Sequence, residues 1–135
     1  SADASGVIAL GASYSNVFVG LPYAGKYQSA KLAYGAQDGT ALLQKKIVSQ
    51  LGLLLADTHR DAIRHGPAFD KLTPFKLVSD SGAALAAASL VKTTHDGEMK
   101  PHGGSWDTDS RVCMRVCAGH PATLLGLVMD MKTNA

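Results

Sequence analysis

The segment ALLQKKIVSQLGLLLADT, residues 41–58, holds the longest regular apolar pattern in the chain, and its conformation decides the fold class. Leu43, Ile47, Leu51, Leu54 and Leu55 fit a helical stripe. Leu43, Ile47, Leu51, Leu53 and Leu55 fit one face of a long strand interrupted only by Lys45 and Ser49. Periodicity leaves both open. Gly52 costs a helix interior about 1 kcal/mol and is better tolerated where a strand bends, which favours the strand.

The rest of the chain reads as short extended pieces between turn formers. GVIAL (6–10) is a short apolar run. YSNVFVG (14–20) alternates, with Asn16 and Phe18 on one face and Val17 and Val19 on the other. Pro22 has no N–H for a sheet ladder, so it closes that strand or lies at its edge. KYQSAKLAY (26–34) resumes an extended pattern, and Asp38-Gly39 suits a tight turn. HGPAFDKLTP (65–74) reads as a loop, FKLVSD (75–80) as a strand, and AALAAASLV (83–91) as a helical turn or two capped by Ser81. HDGEMKPHGGSWDTDS (95–110) is an exposed loop in which Trp106, the single tryptophan, is expected to pin the segment to the core. RVCMRVC (111–117) and ATLLGLVMDM (122–131) form a hairpin across AGHP.

A chain of 135 residues suits one domain, 1–135, with residues 1–5 a flexible start or a junction with something longer. Thirteen Lys and Arg against eleven Asp and Glu give a net charge of +2, too small a field for nucleic-acid binding by charge neutralisation. The densest basic run, Lys45-Lys46, reads as a solvated face. No apolar run reaches the roughly 18–20 residues of a membrane-spanning helix, and no secretory leader pattern opens the sequence. Cys113 and Cys117, four apart on a strand, would lie about 13 Å from each other, beyond disulfide reach, and read as free, buried thiols.

Candidate chemistry is sparse. Asp57, Thr58, His59, Asp61 and His65 are residue types found in hydrolytic metal centres, but their spacing matches no established ligand motif. His95, Asp96, Glu98 and His102 fall in a glycine-rich loop that would not hold ligands in place. Asp107 and Asp109 lack the glycine and terminal glutamate of a calcium loop and read as Asx turns around Trp106. Gly103-Gly104-Ser105 is not a nucleophile elbow. The residues point to no enzyme, cofactor or metal.

In order, FVGLPYAGKYQSAKL, DGTALLQKKIVSQLGLLLADTH, GPAFDKL, DGEMKPHGGSWDTDSRVCMRV and HPATLLGLVMDM resemble the β-rich closing region of the tail tubular, or nozzle, proteins of short-tailed bacteriophages. The resemblance covers residues 6–131. CAGHP and AALAAASLV depart from the family pattern. The resemblance implies a strand over 43–56 and a corner at Leu21, Pro22 and Tyr23, with Val17, Val19 and Leu21 packed inside. The residues and the resemblance together lead to an all-β expectation: an antiparallel β-sandwich or barrel-like domain with long loops and at most one short helix, with Leu21, Pro22, Tyr23, Trp106 and Asp107 in structural roles.

The implied function is a structural part of the virion tail, assembled in the host bacterium's cytoplasm. Its partners would be copies of itself in a symmetric array and other virion proteins, without specific nucleic-acid binding or membrane insertion. A capsid decoration or head-closure protein is the alternative. A carbohydrate-binding or hydrolytic tail module using Trp106, Tyr23, Asp107 and Asp109 is a further one.

Overall fold

A computed structural model describes residues 4–15, 17, 19–21, 23–33, 41–77, 90–91, 99–116 and 119–134. Among the described residues strands are the regular structure and one 3-10 turn is the helical element, so the protein is all-β as expected. The strands are β1 (Gly25–Gln28), β2 (Lys46–Ala56), β3 (Thr58–His59), β4 (Ile63–Gly66), β5 (Thr73–Pro74), β6 (Leu90–Val91), β7 (Lys100–Pro101), β8 (Cys113–Val116) and β9 (Thr123–Thr133). One antiparallel sheet has the order β1-β8-β4-β5 and a second has β7-β2-β9, while β3 and β6 pair separately.

The ambiguous apolar segment is the long strand β2, and a short 3-10 turn at Ala41–Leu43 precedes it. Strand alternation explains its burial only once a bulge is included. Val48 pairs with Met131 and Gln50 with Asp130, so Ser49 is an extra residue and the inward face changes parity there. Lys46 and Val48 point inward before the bulge, and Leu51, Leu53 and Leu55 after it. Two expectations are corrected: Leu43 lies in the 3-10 turn before the strand and is 85% exposed, and through the parity change Lys46 of the supposedly solvated lysine pair is 0% exposed. Gly52 is paired regularly with Val128. A Cβ there would lie 2.7 Å from Met99 Sδ, so the glycine makes room for Met99.

The two main sheets share one core. Val48, Leu51, Leu53 and Leu55 of β2 cluster with Ile63, Phe75, Leu77, Val112 and Met114, and Leu127 and Met129 of β9 pack against them. Each fully buried aliphatic side chain of this kind contributes about 1.5–3 kcal/mol. Phe75 and Leu77 reach the core from outside a strand; the edge pairing in this region falls on Thr73–Pro74, with Pro74 at the sheet's margin where its missing N–H is harmless.

Other expectations are corrected. β8 and β9 do not form a hairpin, because β8 is flanked on both edges by β1 and β4 and β9 joins β2 in the other sheet. No strand occurs over the described part of 14–20. Val17, Val19 and Leu21 are 48%, 73% and 88% exposed, not packed inside. The edge beside β8 that they might have used is occupied by β1, which starts only at Gly25. Leu90–Val91 is strand, not the end of a helix; residues 78–89, the Asp38-Gly39 turn, Pro22 and Cys117 lie outside the described residues. Cys113 is a free, fully buried cysteine, and burial raises its thiol pKa.

Candidate functional site

Two buried histidines meet across the two main sheets. His65 is carried by β4 of one sheet, and His102 immediately follows β7 of the other. His102 is anchored by its own N–H, which donates to Ser49 O at 3.0 Å, the carbonyl of the bulge residue in β2. The two rings face each other with Nδ1 atoms 3.1 Å apart, and the residues are 4% and 6% exposed. Phe75 packs edge-on against His65 at 5.3 Å between ring centroids.

Burial, and then the neighbouring His102, lower the His65 pKa to about 4, and burial lowers that of His102. Both rings are therefore neutral near pH 7, and one Nδ1–H donates to the other's lone pair. His102 Nε2 is buried without a hydrogen-bond partner among the described residues.

Beside this pair a cleft of about 160 Å³ is lined by Val48, Lys71, His102, Ser105, Asp107 and Arg111, among others. Its wall is fastened to β2 through Lys46. The backbones of Lys46 and Asp107 exchange two hydrogen bonds, at 2.9 and 3.0 Å. Lys46 Nζ donates to Thr108 O at 2.8 Å and Gln44 O at 3.2 Å, and Ser110 Oγ donates to Lys46 O at 2.6 Å. Burial and Lys31 lower the Lys46 pKa, with Asp109 and Asp107 opposing. Asp107 accepts the Asp109 N–H at 3.1 Å, the Asx turn expected from the sequence, and that bond leads the causes holding its carboxyl below the usual range. Arg111 Nε meets Asp109 Oδ1 at 2.9 Å. These polar groups are largely engaged with one another, an arrangement that ties a loop to a sheet.

The other expected site residues scatter. His59 is buried in β3, stacks on His120 at 4.2 Å and 9° between planes, and takes the Asp61 N–H on its Nδ1. His59 and His65 thus join different partners. No group of three or more potential metal-ligating side chains forms among the described residues. His95, Asp96 and Glu98 lie outside those residues, while His102, expected in an exposed loop, is buried. Trp106 is 48% exposed and does not pin the loop as a core residue would; Lys46 takes that part instead. Leu21 is exposed, and Tyr23, half exposed, donates its hydroxyl to His120 O at 3.0 Å. No helix among the described residues is long and apolar enough to cross a membrane.

Spacing gave no sign of the His65–His102 pair or of Lys46. The histidines are 37 positions apart, and the inward turn of Lys46 depends on the bulge at Ser49. No family model matches the chain, and no curated protein matches its sequence.

Proposed function

We propose that this chain is a structural, non-catalytic subunit of a bacteriophage virion, placed in the tail tube or nozzle. It works by self-association and by docking onto other virion proteins after assembly in the host cytoplasm, with no specific nucleic-acid or membrane contact. The observation that carries the reading is the surface: among the described residues of 8–23, Ile8, Leu10, Tyr14, Val17, Val19, Leu21 and Tyr23 are each between 45% and 88% exposed. So many exposed large apolar side chains close together in sequence support an interaction site. The ordered resemblance over residues 6–131 supports the tail over other assemblies. Mass spectrometry of purified particles, followed by cryo-electron microscopy, tests it. Density for the chain on the tail axis is expected; density on the head shell would replace the nozzle by a decoration role.

A second reading is favoured by one observation. Trp106 is 48% exposed beside Asp107 and near Asp109, the make-up of a sugar-stacking platform. Glycan binding that disappears in Trp106→Ala would move the assignment to a carbohydrate-binding tail module.

A further inference from the structure

We infer that the N-terminal arm of one copy pairs with the outer edge of β9 in a second copy. The inference rests on the assembly reading above and names its contact. From Ala4 to Gly25 the sequence contains no Asp, Glu, Lys, Arg or His. The described residues before Gly25 belong to no strand, and Val17, Val19 and Leu21 present 48%, 73% and 88% of their surface to solvent.

β9 is the complementary element. It is 11 residues long, and among the described residues β2 is its one strand neighbour, so it ends its sheet. Long edge strands are usually blunted by charge, proline or bulges, and β9 has charges only in its last part, at Asp130 and Lys132, and a single bulge near its start. From Pro121 to Met129 β9 and its approach hold no charged residue, and Leu124, Leu125 and Val128 are 39%, 58% and 51% exposed. Leu125 is also a bulge residue, since Leu54 pairs with Gly126 and Leu55 with Leu124. At Leu124 the apolar surface runs into a groove of about 230 Å³ walled by Tyr27, Ile63, Met114, Val116 and Ala122.

An uncharged arm fits the uncharged stretch of the edge before Asp130: backbone hydrogen bonds supply the pairing, and alternate side chains fill the groove and cover Val128. Tyr23, bonded to His120 O, fixes the departure point of the arm next to the start of its own β9. Donor and acceptor are different surfaces, so the contact is either exchanged reciprocally between two copies or runs head to tail, forming a ring when its rotation closes.

Sedimentation of the full chain from low micromolar to near-millimolar concentration, combined with amide hydrogen exchange, tests the contact. Mass should rise with concentration, and amides of 8–21 and 123–129 should slow together by about tenfold or more as it does. Val19→Glu and Val128→Lys should each abolish the mass increase, and mixing the two variants should restore it. If Val128→Lys disturbs the fold, Val19→Glu decides alone, because Val19 is 73% exposed and outside every strand. A chain that stays monomeric throughout, an oligomer protected elsewhere, or an arm already protected in the dilute monomer overturns the inference. Association as described by a chain absent from purified particles would reject the virion reading and leave the arm contact standing.

Discussion

The Nδ1 atoms of His65 and His102 lie 3.1 Å apart and join strand β4 of one sheet to the segment after β7 of the other. The pair is stable only while neutral: the first proton would place a charge in a buried site, and a second would set two like charges against each other.

The pair makes stability depend on pH with a definite sign. The folded pKa of His65, about 4, lies below its ordinary 6.5, so between these values the unfolded chain binds more protons than the folded one. The contribution is fully present above pH 6.5 and is lost as pH falls toward 4. At 1.36 kcal/mol per unit the effect is roughly 3 kcal/mol for this residue. Urea melts across that range should show the parent weakening while His65→Leu changes much less. Equal slopes for the two proteins would remove the histidine pair as the cause.

Lys46 and Lys45 should respond very unequally to truncation. Lys46→Ala leaves a void and removes the donor to Thr108 O and Gln44 O, for a loss of about 2–4 kcal/mol. Lys46→Met keeps the stem and should lose less. Lys45, adjacent in sequence but exposed, should tolerate alanine within about 0.5 kcal/mol. Denaturant midpoints for the three variants check the order, and a neutral Lys46→Ala would refute the clamp.

Gly66 sits at the end of β4, where a Cβ would run into the carbonyl of Lys71 and come within 3.2 Å of Leu72 Cα. Backbone cannot swing aside as a side chain does, so Gly66→Ala should cost about 3 kcal/mol. At Gly52 the obstacle is the end of the flexible Met99 side chain, and Gly52→Ala should be milder. Thermal melts of the two variants would show the reverse order if the turn after β4 can relax.

The long strand at 46–56 was only half legible: Leu51, Leu53 and Leu55 suit one strand face, but Leu54 suits a helical stripe as well, and Gly52 and the family resemblance tipped the reading to strand. What escaped depends on contacts far apart in sequence. The bulge at Ser49 exists only through pairing with Asp130 and Met131, and it turns Lys46 and Val48 inward against the simple alternation. The partner of β8 was misread because adjacency in sequence suggested a hairpin, whereas β1 and β4 already hold both of its edges. Val17 and Val19 have the alternation of a strand, yet alternation states a capacity to pair, not that an edge within the same chain is open. His102 looked like loop because glycines follow it, and its burial comes from docking on Ser49 and His65.

Trp106 gives the last prediction. A large aromatic truncated in a core costs about 3–5 kcal/mol. Here the residue is 48% exposed, and the loop is held without it: by the backbone bonds between Lys46 and Asp107, by Lys46 Nζ on Thr108 O, and by Ser110 Oγ on Lys46 O. Trp106→Ala should therefore lower stability by only about 1 kcal/mol, with a shift in melting temperature of a few degrees. Calorimetry of the variant measures this directly. A loss of 3 kcal/mol or more would mean that the indole packs more deeply in solution, and that the loop depends on its aromatic as well as on Lys46.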